Sequence, residues 1–183
     1  MDGPYDLTYT AERFTAELPA KDYIARFRNA DYFLLLCQQC RNYGRRYGCP
    51  PFEEDTLAVI GHYERTRIIG IKISPNSKNL PLNVSIDLMT PVIEKLNQEL
   101  LETERQLKGR AFGFVGNCPY CGGAPCQRIA GKPCLHPDKV RPSLEAYGFD
   151  ISLTAKELLG IDIKWSKGGA MPEYLTLVCG IFY

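Results

Sequence analysis

Histidine is scarce. The chain of 183 residues holds only His62 and His136, so acid–base catalysis through imidazole has few candidates. Neither sign of charge is in excess: Lys and Arg number 22, Asp and Glu 21, for a formal net charge of +1. That balance removes any global electrostatic argument for nucleic acid or an anionic membrane. No apolar run approaches the roughly 18 residues that a bilayer span needs. The opening MDGPYDLTYTAERF has no basic stretch followed by an apolar one, the mark of an export signal, and a cytoplasmic location is expected. Phosphate cradles of the G-x-x-x-x-G-K-S/T and G-x-G-x-x-G kinds are missing, as are a G-x-S-x-G elbow and an H-E-x-x-H helix. Internal repeats and low-complexity stretches are absent too.

What the sequence does have is a core and thiols. Apolar residues make up 45% and charged residues 23%, enough to bury an ordinary globular interior, and one domain over residues 1–183 is expected. Eight cysteines stand at 37, 40, 49, 118, 121, 126, 134 and 179. Seven form two groups, Cys37-x2-Cys40-x8-Cys49 and Cys118-x2-Cys121-x4-Cys126-x7-Cys134. In a reducing compartment such thiols stay free of disulfides. Cysteines crowded into short loops then point to metal.

Several elements can be placed around these groups. Tyr32 to Leu36 reads as a strand running into Cys37. A helix over Glu53 to Tyr63 follows Pro50-Pro51, with Glu53, Glu54 and Asp55 in its first turn, where the helix dipole favours acids. Arg67 to Ile73 (RIIGIKI) reads as a buried strand. The spacing of Val92, Leu96, Leu100 and Leu107 predicts a helix over Pro91 to Lys108, N-capped by Thr90 and ended by Gly109. Ala111 to Val115 is a short strand leading into the second cysteine group. Short helices are expected at Pro142 to Tyr147 and Ser152 to Leu159, each closed by glycine. Ile161 to Trp165 and Leu175 to Phe182 are strands separated by a Gly168-Gly169 turn. The alternation gives an α/β layered domain (α+β being the other choice), with a mixed sheet, helices packed on it and two cysteine-rich metal-binding loops. Both groups would then begin at strand ends, side by side if the strands are parallel neighbours.

Four thiolates at Cys118, Cys121, Cys126 and Cys134 satisfy either tetrahedral zinc or an iron–sulfur cluster. Structural zinc usually pairs two Cys-x2-Cys knuckles across a longer spacer. Here one knuckle is followed by single cysteines at short, unequal intervals, nearer to the runs that wrap a cluster, with 4Fe-4S the expected form. Cys37, Cys40 and Cys49 supply three donors. A fourth can come from Cys179, His62, His136, solvent or a partner, or the site is open; the groups can also exchange ligands. Cys179, alone in an apolar strand, reads as a core residue.

Arg41, Arg45 and Arg46 interleave with Tyr43 and Tyr47. That pattern suits stacking on single-stranded nucleic acid, offsetting the charge of a thiolate cluster, docking an acidic redox protein, or a plain solvated loop. On a chain of net charge +1, nucleic acid is not the expected partner. His136 can ligate metal or donate to a cluster sulfur, or simply start a helix. Arg141 and Glu145, four apart, are expected to pair on a helical face, either as a structural salt bridge or in support of the metal ligands beside the cysteine loop.

The segments CQQCRNYGRRYGCPPF and CPYCGGAPCQRIAGKPCLHPDKVRPSLEAYGFDISLTAKELLG resemble a prokaryotic family of cysteine-rich "predicted metal-binding" proteins, a domain of unknown function. The likeness spans nearly the whole chain. It implies ligand roles for Cys37, Cys40, Cys49, Cys118, Cys121, Cys126 and Cys134, places His136, Arg141 and Glu145 at motif positions, and brings no reaction. The expectation is a cysteine-ligated metal protein, iron–sulfur in electron transfer or redox sensing with a redox partner protein. The alternatives are a structural zinc module for protein or RNA, and a metalloenzyme whose three-cysteine site is open to a small molecule.

Overall fold

The isoleucine-rich run is the spine of the sheet. In the computed structural model, residues 5–113 and 118–183 are described. The second strand, β2 (Arg65–Pro75), lies between β1 (Tyr9–Pro19) and β4 (Leu175–Phe182), and β3 (Arg110–Phe112) pairs with the far edge of β4. The order is β1-β2-β4-β3 and every pairing is antiparallel. The mixed sheet expected from the alternation of elements is therefore corrected to a purely antiparallel one, and the class to α+β. The strand order explains this: β2 and β3 run parallel to each other through a crossover connection, but β4 inserts between them antiparallel to both, so no two neighbouring strands are parallel.

Side chains leave the sheet alternately, so each face collects its own core. Ile68, Val178 and Phe182 face Tyr23 and Phe27 of α1 (Ala20–Phe27), Ile60 of α3 (Thr56–Gly61) and Ala155 and Leu159 of α5 (Ile151–Leu159). Ile69, Ile71, Ile73, Leu175, Leu177 and Cys179 face Leu88, Leu96 and Leu100 of α4 (Ser85–Leu107). Each of these large apolar side chains contributes roughly 1.5–3 kcal/mol on burial, and together they fix which face each residue takes.

Three expectations fail for local reasons. Tyr32 to Leu36 is not a strand but part of α2 (Ala30–Gln38), started by Asn29, whose side chain accepts from the Tyr32 amide at 3.2 Å. A five-residue apolar run has no period long enough to separate helix from strand, and here a capping residue decides. α4 starts six residues before Pro91, and Thr90 bonds back to the Ile86 carbonyl at 2.7 Å from inside the helix. Pro91 lies on the exposed face, where the carbonyl it leaves unpaired can meet water. Ile161 to Trp165 forms no strand. Ile161 packs on the sheet face instead, where Gly70 leaves room for Ile161 and Leu159, and Trp165 is 73% exposed.

Elsewhere the differences are in extent. α3 begins at Thr56, with Asp55 as its cap rather than in its first turn. β3 is three residues long, and positions 114 and 115 of the expected strand lie outside the described residues. The short helix at Pro142 to Tyr147 is a 3₁₀ turn over Glu145–Tyr147, closed by Gly148 at φ 88°.

Candidate metal centre

The first cysteine group starts on the last turn of α2 and leaves it through successive tight turns. Cys40 N donates to Cys37 O at 3.0 Å, Tyr43 N to Cys40 O at 3.0 Å, and Gly44 N to Pro50 O at 2.8 Å. Cys37 and Cys49 are half-buried and Cys40 is exposed. The segment therefore begins at a helix end, not at a strand end as expected, and among the described residues no parallel strand pair brings the groups together. They meet by another route.

That route is Arg128, in the 3₁₀ turn Gln127–Ala130 of the second group. Its guanidinium donates to three carbonyls of the first segment: Arg46 O at 2.7 Å, Cys49 O at 2.6 Å and Pro51 O. The Tyr47 hydroxyl donates back to Lys132 O. Bonds from a charged donor are stronger than neutral ones, and here each ties one cysteine segment to the other.

Cys118, Cys121, Cys126 and Cys134 line one small hollow of about 20 Å³, with Arg46 and Tyr47 in its wall. A larger cavity, about 380 Å³, is bordered by Cys37, Cys40 and Cys49 and again by Cys118. Its lining includes apolar Ile86, Met89 and Ile93 of α4 and basic Arg41, Arg46 and Lys139. Cys118 thus belongs to both walls. Among the described residues, no three His, Cys, Asp or Glu side chains already stand as close as one ion requires; the thiols surround spaces.

Three of these thiols, Cys37, Cys49 and Cys118, are biased towards their protonated form. Burial raises Cys37, with Cys40 and Glu145 adding to it. Burial pushes Cys49 up to about 11, helped by Cys40 and Cys37 and opposed by Arg46 and Arg128. Cys118 is raised by burial too, against the pull of a backbone amide at Tyr120, and then by Cys121, Cys134 and Cys126. A soft cation that takes the proton's place relieves this mutual repulsion, which is why metal binding to such a site releases protons. The donor set, seven thiols with no acidic side chain among the described residues lining the four-cysteine hollow, fits a thiophilic metal.

The other candidates sit as follows. Cys179 is buried in β4 in the core against α4, near Arg13 and Glu99, and burial raises its thiol; it lines neither cavity. The His62 ring lies within 3.3 Å of Ala58 O at the end of α3. His136 reaches the second group through its backbone, its amide donating to Cys134 Sγ at 3.4 Å. Arg141 does not pair with Glu145. Its partner is Glu104 of α4, at 2.5 Å, because the chain at Glu145 is a 3₁₀ turn and offers no continuous helical face from Arg141. Glu145 instead lines the large cavity. The residue as a whole is half-buried, yet its Oε2 is sealed from solvent without a hydrogen-bond partner. Burial pushes its carboxyl up to about 7, partly offset by its own amide and the Ser143 hydroxyl. Sequence reasoning set Glu145 beside the cysteine loop only together with Arg141, as an ion pair, and did not foresee it unpaired in the cavity wall.

A four-stranded α+β scaffold carrying seven cysteines around two adjoining spaces defines a class, the cysteine-rich proteins with soft-metal donor sets. The chain belongs to the family described as predicted metal-binding protein (DUF2284), whose model matches residues 25–180. No curated protein and no solved structure matches the chain. No helix among the described residues is long and apolar enough to cross a membrane.

Proposed function

We propose that the protein is an iron–sulfur protein with two neighbouring centres that moves electrons or senses redox state in the cytoplasm. Cys118, Cys121, Cys126 and Cys134 hold one centre. Cys37, Cys40 and Cys49 hold the other. The observation that carries this reading is the position of Cys118 in the walls of both spaces, which makes the two centres adjacent. Arg46 and Arg128 lie beside the thiols and offset the negative charge that a thiolate-ligated cluster accumulates. The amide of His136 donates to Cys134 Sγ, a bond of the kind that raises a cluster's potential. The exposed thiol Cys40 marks the side a redox partner protein would approach.

A second reading rests on size. The hollow among the four thiols, about 20 Å³, is about that of one water, and a single structural zinc suits it. The large cavity supports a third, in which a small molecule reaches an open three-thiolate metal, for about 380 Å³ falls within the usual range of small-molecule pockets. One experiment separates the first two. Protein expressed with supplemented iron and purified without oxygen is assayed for visible absorption and for iron, zinc and acid-labile sulfide per chain. Brown protein with matching iron and sulfide, and loss of part of both in Cys121→Ser, supports the clusters. Colourless protein with stoichiometric zinc overturns them and leaves the zinc module.

A further inference from the structure

Three thiols leave one coordination position to fill, and the wall of the large cavity holds a single acidic side chain among its described residues. We propose that Glu145 is the fourth protein ligand of the centre held by Cys37, Cys40 and Cys49, giving a mixed thiolate–carboxylate site for a thiophilic metal or cluster. The proposal rests on the three-thiolate centre argued above.

Four observations converge on Glu145. It shares the cavity wall with all three thiols. Its Oε2 is buried without a partner, the only carboxylate oxygen so placed among the described residues. An acceptor sealed from water without a donor is costly to keep, and a cation beside it removes that cost. The nearest basic candidate in sequence, Arg141, is held by Glu104 at 2.5 Å. Finally, the turn that carries the carboxylate is anchored. Leu144 and Tyr147 are anchored in the core on either side of it, and Gly148, at φ 88°, brings the turn so close to α2 that a Cβ there would stand 2.5 Å from Ala30 Cα. The turn therefore seats directly on the helix whose last turn carries Cys37.

The remaining imidazoles and the eighth cysteine do not compete. His62, His136 and Cys179 are absent from the cavity wall. A carboxylate is a harder ligand than thiolate and binds a soft metal less firmly. It is the ligand that a small molecule entering the cavity would replace.

The test uses the full chain, loaded without oxygen, as wild type and as Glu145→Gln, Glu145→Cys, Cys40→Ser and Cys121→Ser. Metal and sulfide per chain, low-temperature electron paramagnetic resonance of the reduced protein, and the rate of metal loss to a chelator are read. Cys121→Ser removes the four-cysteine centre and leaves the signal of the other in isolation. Glu145→Gln is expected to lower the metal of that other centre by at least one ion, or to speed its loss about tenfold or more, a change of about 1.4 kcal/mol. Glu145→Cys is expected to restore it with an altered spectrum. Wild-type metal, spectrum and release in Glu145→Gln, with loss in Cys40→Ser, overturns the carboxylate ligand and leaves the three-thiolate centre standing. Wild-type behaviour in Cys40→Ser overturns both. If Glu145→Gln does not fold, Glu145→Cys decides: failure to hold wild-type metal counts against the ligand.

Discussion

Arg141 turns its guanidinium to Glu104 and away from Glu145. The contact is bidentate, with Nη2 2.5 Å from Glu104 Oε1 and Nε 2.8 Å from Glu104 Oε2, and both side chains are largely buried, at 16% and 15% exposure. Glu104 Oε2 also accepts from the Ala111 amide at 2.7 Å. One carboxylate therefore joins the end of α4, the start of β3 and the segment leaving the second cysteine group, while the other is left facing the cavity.

Breaking this contact should be expensive. Glu104→Gln leaves a mostly buried guanidinium without its counter-charge, a loss on the order of 3 kcal/mol. Arg141→Lys should cost nearly as much, because an ammonium cannot match the fork. Urea denaturation of the metal-free variants gives the number. A change below about 1 kcal/mol, the usual worth of an exposed pair, would show that the contact holds nothing together.

Arg128 should matter to metal retention. Its guanidinium satisfies three carbonyls of the segment that carries Cys49, and hydrogen bonds from a charged donor contribute about 1.5–3 kcal/mol each. Arg128→Met is expected to speed metal release from the Cys37, Cys40 and Cys49 centre by about tenfold or more, with Arg128→Lys between. Release within about twofold of wild type would mean that the turns of that segment hold themselves.

These two arginines show how far the sequence could be read. The buried run at Arg67 to Ile73, the long helix ending at Lys108, the strand Leu175 to Phe182 and the grouping of seven cysteines follow from periodicity and spacing, because each is a local pattern. The alternation of Phe14, Ala16 and Leu18 in β1, all packed on one core, was an equally local signal. Strand direction was not legible, since it depends on which connections turn back. Nor were the partners of Arg128 and Arg141, which lie up to 82 and 37 residues away. Glu145 stayed hidden for the same reason: a four-residue spacing implies a pair only where the helix is continuous.

Cys179 should be dispensable for metal. It is buried in β4 among Ile69, Leu88 and Ala111, on the core facing α4, and lines neither cavity. Cys179→Ala is expected to keep the full metal content and visible spectrum, and to lose about 1 kcal/mol of stability for the small void it leaves. A change in metal stoichiometry would bring this thiol back into the ligand set.

Gly148→Ala should damage the site from outside it. The residue sits at φ 88°, and its new Cβ would meet Ala30 Cα at 2.5 Å and Ala30 N at 3.0 Å. Left-handed backbone alone costs an L-residue about 1–2 kcal/mol, and the clash forces the 3₁₀ turn off α2. More than about 2 kcal/mol of lost stability is expected, together with weaker metal retention at the Cys37 group and little change at the Cys121 group. Equal losses at both groups would show that the turn supports the whole fold and not one centre.

Glu145 should make the metal-free protein lose stability as pH rises from about 4.5 to about 7. Its carboxyl is pushed up to about 7 in the folded state, from an ordinary 4.5, because burial disfavours the charge. Below 4.5 both folded and unfolded chains carry the proton, and the residue costs nothing. Between 4.5 and about 7 the unfolded chain ionises while the folded one still holds its proton, so each step upward favours unfolding. Above about 7 both are ionised and the penalty is constant, on the order of 3 kcal/mol at 1.36 kcal/mol per pH unit. Glu145→Gln removes the titration, and its stability should stay level over that interval, rising above wild type at pH 8. Parallel urea midpoints for the two proteins between pH 4.5 and 8 would show that the carboxyl reaches water in the metal-free state.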